Sequence, residues 1–219
     1  MAKFISQSVE VLNFPDDPIR AIAQPARVCY NSAKRDYQQE VRFVKSLLSS
    51  GHMTPFEHTS ASVLLTTNRA VTHELVRHRI GVAFNQSSQR YINYKDGVEF
   101  IRPLWTYPQE NNSHYVSWAK LCTEVESIYA GMIEGGLAPE EARDVLPNST
   151  ATKIVVTANF REWMHIFDLR LFGLTGRPHP EIKALMAAVY LEFGKRCPEL
   201  FSADFDVEKL AETVTIVRK

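Results

Sequence analysis

The stretch HPEIKALMAAVYLEFGKRC, His179 to Cys197, sets Ile182, Leu185, Met186, Val189, Tyr190 and Phe193 at i, i+3, i+4, i+7, i+8 and i+11, and Pro198 closes it. That period is helical, and a helix with so wide an apolar stripe has to lay it against another layer of structure. The short apolar, β-branched runs SASVLLTT and TKIVVTA read as strands of a covered sheet that supplies the layer. KFISQSVEVL reads as a first strand, and VEFIRP as another that Pro103 ends. Between them lie further helical patterns. QQEVRFVKSLLSSGH puts Val41, Val44, Leu47 and Leu48 on one stripe, with Gly51 as its C-terminal cap. NRAVTHELVRHR aligns Ala70, Val71, Leu75 and His78 on one face. The long segment from Ser113 turns Trp118, Leu121, Val125, Ile128 and Met132 inward and stops at Gly135-Gly136, with Pro139 in a following first turn. NFREWMHIFDLRLF is helical as well. Strands and helices mix without strict alternation, so the expected fold is α+β rather than doubly wound, a single domain over residues 1–219.

Lys plus Arg number 25 and Asp plus Glu 25, a net charge of zero that disfavours a broadly basic nucleic-acid binder. Cys29, Cys122 and Cys197 are scattered and odd in number, which fits buried thiols in a reducing cytoplasm. No apolar run reaches the ~20 residues of a membrane span, and the N-terminus does not read as a signal peptide. No glycine-rich phosphate loop occurs, so any nucleotide has to be held another way.

The chemistry concentrates in RHRIGVAFNQSSQRY, Arg77 to Tyr91. Cations at a helix C-terminus gain only ~0.3–1 kcal/mol each from the dipole. On a helix, however, Arg77 and Arg79 would stand about 200° apart, so one leaves the solvent face and wants an anion. If NQSSQRY is extended, Gln86, Ser88 and Arg90 share one side, and a hydroxyl beside a guanidinium suits a phosphate. An ordinary polar turn has the same composition. His52, His58, His73 and His78 lack zinc-site spacing and read as structural histidines. Asn159 and Glu162 are spaced as a capping box. Arg161 and His165 share a face of their helix, while Arg170 lies about 180° from Arg161. One helix facing two surroundings points to a site assembled between subunits.

Taken together, RHR followed by SQRY, with ARVCYNS, GHMTPFEH, THELVRHR, ARDVLPNST, TANFREWMHIFDLR and HPEIK in that order, resembles the flavin-dependent thymidylate synthase family over nearly the whole chain. The resemblance implies a central, largely antiparallel sheet flanked by helices, and a homotetramer with active sites shared between subunits. It implies FAD as cofactor, dUMP as substrate, and NADPH and methylenetetrahydrofolate as co-substrates. His52, Thr54, Arg77, His78, Arg79, Gln86, Asn159, Arg161 and His165 match cofactor-binding positions. Glu74, Arg77, Gln86, Ser87, Ser88, Gln89 and Arg90 match the dUMP-binding stretch, and Lys153 stands where many relatives carry an arginine. Arg170 matches the arginine that polarises the uracil ring. At Glu74 the family commonly has Gln. The spacing from RHR points to Ser87 and the downstream anchor to Ser88, as though the loop held one extra residue; alternation with Arg90 favours Ser88, with Ser87 second. The competing reading is a non-catalytic nucleotide or RNA binder using Arg77, Arg79 and Arg90, and a histidine-metal hydrolase is third.

Overall fold

The computed structural model describes residues 2–33, 35–94, 96–106 and 112–218. The chain opens with β1 (Lys3–Ile5), β2 (Ser8–Asn13), α1 (Pro18–Tyr30) and α2 (Tyr37–Ser49). A tight turn at Thr54–His58 leads into β3 (Ser60–Asn68), α3 (Arg69–Leu75), β4 (Val82–Gln86) and β5 (Glu99–Ile101). Next come α4 (Ser113–Glu134), α5 (Pro139–Ala142), β6 (Ala151–Asn159) and α6 (Phe160–Phe167). A π-helical turn at Asp168–Phe172 follows, then α7 (Pro180–Arg196), α8 (Phe205–Ala211) and β7 (Thr215–Val217).

The main sheet has the order β4-β6-β3-β2-β7, antiparallel throughout except for the parallel β2–β7 pair. The expected α+β class, with a largely antiparallel sheet and flanking helices, is what the chain adopts. β3 and β6 form its spine, paired from Ser60 opposite Asn159 to Asn68 opposite Ala151. Alternation sends Ala61, Val63 and Leu65, with Ile154, Val156 and Ala158, into the core, while Ser62, Leu64 and Val155 face the half-covered side. Among the described residues no helix is long and apolar enough to cross a membrane.

Helix α7 lies at the centre of the core and is buried beyond its predicted stripe. Ala184, Ala187 and Ala188 are small enough for neighbours to approach on the faces the periodicity leaves polar. The first strand is not continuous. Gln7 turns into the core, where its side chain donates to Glu181 O (3.1 Å) and accepts from Thr67 Oγ1 (2.6 Å). The break lets β1 leave the main sheet and pair with β5 in a small parallel sheet. Gly51 does cap α2: it takes the left-handed φ of 73°, with Gly51 N–H on Leu48 O and His52 N–H on Leu47 O.

Helix α4 corrects the expected inward set. Cys122, Val125, Glu126 and Tyr129 are buried, Cys122 and Tyr129 against Val98, Phe100 and Ala142, while Leu121 and Ile128 are 53% and 47% exposed. The two stripes are adjacent and share Trp118, Val125 and Met132, so spacing alone does not separate them. In ARVCYNS, Arg27 is structural: its guanidinium pairs with the buried Glu40 carboxylate and fastens α1 to α2.

Candidate functional site

Helix α3 begins at Asn68, whose side-chain oxygen accepts from Val71 N–H (2.9 Å) and whose amide donates to the Glu181 carboxylate. It ends at Leu75, earlier than the pattern predicts, so Arg77, His78 and Arg79 sit on the turn beyond it. The separation by helical angle therefore does not apply. Arg77 and Arg79 are both exposed and their guanidinium groups make no hydrogen bond or ion pair within the described residues, while His78 alone turns inward and is 5% exposed.

What draws His78 inward is the junction of β6 and α6. Asn159 Oδ1 caps α6 through Glu162 N–H (2.9 Å), as the sequence predicts. The other half of the capping box is not made. Asn159 N–H donates to Gly81 O (3.0 Å), and the Glu162 carboxylate meets His78 Nδ1 (2.9 Å) instead. Gly81 has φ 69°, and a methyl group there would overlap the Asn159 side-chain amide, so this contact between the Arg77–Arg79 turn and β6 requires glycine.

The π-helical turn then presents Arg170 to the same place. Its Nε–H donates to His78 Nε2 (3.2 Å), one terminal nitrogen to Glu74 Oε2 (3.1 Å) and the other to the Glu74 carbonyl (3.2 Å). Burial, helped by the charges of Arg170 and His165, lowers the His78 pKa to about 4, so the ring is neutral near pH 7. Burial raises the Glu162 pKa, opposed by the charges of His165 and Arg161. His165 stands edge-on to His78, ring centroids 5.6 Å apart. Ligand atoms of His78, Glu162 and His165 lie within 4.8 Å of one another, but both His78 nitrogens already have partners, so an ion there would have to displace one.

Arg161 faces elsewhere, although the expected angular offset from Arg170 does not carry over, because α6 ends at Phe167 and Arg170 lies on the π-helical turn. Arg161 pairs with Glu57 (2.6 Å) and, with His52, Thr54 and Cys29, lines a cavity of about 410 Å³. Ser87 and Lys153 line a third region, a cavity of about 330 Å³ that also borders Tyr94 and Thr152. Gln86 reaches the core side, donating to Thr72 Oγ1 (3.1 Å) and Thr152 Oγ1 (3.3 Å).

The loop after β4 corrects a second expectation. The strand ends at Gln86, Ser87 N–H bonds to Lys153 O (2.9 Å), and a turn begins at Ser88, whose Oγ accepts from Arg90 N–H (3.2 Å). Arg90 is exposed, pairs with Glu140 (3.3 Å) and covers the Tyr91 ring. The segment is not extended through Arg90, so alternation gives Ser88 no preference over Ser87. Gln89, half-buried, lies in the same turn.

Sequence reasoning missed Glu162 as a member of this cluster, because a capping box explained it locally; no signal short of the fold marks His78 as its partner. The thiols suit no nucleophilic role: burial pushes Cys122 up to about 11 and Cys197 to about 12, and Cys29 is exposed without an activating base in hydrogen-bond contact among the described residues.

A family model described as thymidylate synthase complementing protein matches residues 10–199. The flavin-dependent thymidylate synthase of Geobacter sulfurreducens is 35% identical over 187 residues, covering 81% of this chain and 78% of that protein. That of Pyrococcus furiosus is 32% identical over 199 residues, covering 86% and 79%. Among solved structures, the UMP/dUMP methylase PolB from Streptomyces cacaoi bound with 5-Br dUMP has TM-score 0.78 and 26% identity, over 90% of this chain and 94% of that one.

Proposed function

This chain belongs to the flavin-dependent thymidylate synthase family, and on that premise we propose how its residues perform the reaction. The enzyme methylates dUMP to dTMP with the aid of a flavin. NADPH supplies the electrons and methylenetetrahydrofolate the carbon. When bound, FAD supplies the redox chemistry; the protein supplies binding, orientation and electrostatics.

The observation that carries the reading is the Arg170 clamp. A guanidinium has five N–H donors, and protein acceptors take three of those on Arg170, leaving two on a side chain 22% exposed. These are fixed in direction before substrate arrives, which suits them to stabilise charge growing on a uracil carbonyl. Arg77 and Arg79, exposed and unpaired among the described residues, fit the pyrophosphate of FAD; His52, Thr54, Asn159, Arg161 and His165, with His78 and Gln86, complete its surroundings. Ser87, Ser88, Gln89, Arg90 and Lys153 hold the dUMP phosphate and sugar. The Ser88 oxygen accepts a backbone bond, which leaves its hydroxyl hydrogen free to donate to phosphate. Glu74 keeps Oε1 for the uracil or the sugar while Oε2 holds Arg170.

These groups lie around three separate regions of one protomer, and α4 exposes Val116, Leu121 and Ile128, with Leu121 and the exposed Trp105 lining one cavity. Both features support a homotetramer that completes each site from neighbouring copies. Purified protein is expected to carry a flavin absorbance band that NADPH bleaches, and to form dTMP from dUMP and methylenetetrahydrofolate; UMP is assayed alongside. Colourless protein that gains no band with added FAD would favour the nucleotide binder, and activity lost to a chelator the hydrolase. An active monomer in sedimentation would refute the shared site.

A further inference from the structure

The Glu162 carboxylate is buried, is released from the capping role its position predicts, and sits 2.9 Å from His78 Nδ1. The other ring nitrogen of His78 faces Arg170 Nε–H at 3.2 Å. An arginine N–H only donates, so Nε2 has to carry the lone pair and Nδ1 the proton, which Glu162 accepts. The hydrogen bonds therefore have one direction, from Arg170 to His78 to Glu162, and the far side of the same guanidinium grips Glu74. His165 meets the ring of His78 edge-on and gives neither nitrogen a partner.

We propose that Glu162 is a positioning residue for the methylation of dUMP: it holds His78 in the Nδ1–H tautomer and thereby aims the Arg170 guanidinium at the uracil. The proposal rests on the role assigned to Arg170 above. Without Glu162, either ring nitrogen can carry the proton, and the Nε2–H form sets two donors against each other and turns Arg170 away. The low pKa of His78 keeps the ring neutral at assay pH, so the tautomer, not the charge, is what Glu162 selects.

Two variants and one diffraction measurement test this. In E162A the flavin band and a cooperative melt persist, while kcat falls by about tenfold or more, the loss usual where a carboxylate orients a functional histidine, with a much smaller change in KM for dUMP. In E162Q the amide oxygen still accepts Nδ1–H, and most of kcat returns. Neutron diffraction from deuterated, flavin-loaded wild-type protein shows deuterium on His78 Nδ1. Deuterium on Nε2 overturns the proposal even if neither variant folds. So does wild-type kcat in E162A, or an E162Q as impaired as E162A, which would implicate charge instead. If the wild-type enzyme methylates no dUMP while deuterium sits on Nδ1, the functional reading fails and the hydrogen-bond direction stands.

Discussion

On the role proposed for Arg170, removing its guanidinium should separate catalysis from binding in this site. Arg170→Ala deletes the two outward N–H donors together with the three that bond to His78 and Glu74. If one such donor is lost from the transition state, kcat falls about 10²–10³-fold, or ~2.7–4 kcal/mol. Stability should suffer less. His78 Nε2 loses its partner in a buried position, which costs about 1–3 kcal/mol, while Glu74, with its side chain 32% exposed, regains water. The groups proposed to face the flavin lie on other elements, so the visible absorbance band should be retained. The assay pairs a flavin spectrum and a denaturation curve with steady-state dTMP formation at saturating dUMP. Arg170→Lys extends the test: an ammonium is a point charge that cannot reproduce the planar fork, so turnover should stay low despite the conserved charge. Near-normal turnover in a folded, flavin-loaded Arg170→Ala protein would remove Arg170 from the mechanism.

Gly81→Ala should destabilise the protein by about 1–3 kcal/mol, because a left-handed φ combines with a clash against the Asn159 amide; an unchanged urea midpoint would show that the turn relaxes freely. Acid should weaken the fold through His78. Its folded pKa of about 4 lies below the ordinary 6.5, so the unfolded chain binds the extra proton in that window. Stability then falls as pH drops from 6.5 through about 4, by roughly 3 kcal/mol when complete, and this contribution is flat above pH 7. The raised pKa of Glu162 acts in the opposite sense and trims the slope. Urea denaturation at pH 7 and pH 5 should show a smaller loss in His78→Asn than in wild type, and equal losses would refute the assignment.

Much of the fold was legible because it rests on periodicity. The strands SASVLLTT and TKIVVTA became β3 and β6, and the stripe from Ile182 became the central helix. Where periodicity is degenerate it failed: two stripes of α4 fit the spacing equally, and only contact with Val98 and Phe100 selects the one with Cys122 and Tyr129. The region of the site was legible as a concentration of cations and hydroxyls, but its wiring was not. Glu162 and His78 are 84 positions apart, and a capping box accounted for the glutamate without any distant partner. The end of α3 was misplaced because His78 continues the helical face of Val71 and Leu75, although it reaches the interior from a turn.

That turn explains why the cations and the histidine diverge. Had α3 continued, its geometry would have coupled the directions of Arg77, His78 and Arg79; ending it at Leu75 lets each side chain be aimed independently. The N–H groups of Val76, Arg77 and His78 still bond back to Thr72, Glu74 and Leu75, and Gly81 and Asn159 tie the end of the turn to β6. His78 is fixed by Glu162 and Arg170 on one side of this tie, while Arg77 and Arg79 are left without protein partners among the described residues. A buried neutral ring between two exposed guanidiniums holds the turn's conformation without drawing on the charges a bound anion needs. The sequence RHR thus divides its labour by chemistry: the residue with the smallest desolvation cost goes inside, and the two whose charge cannot be shed remain in solvent.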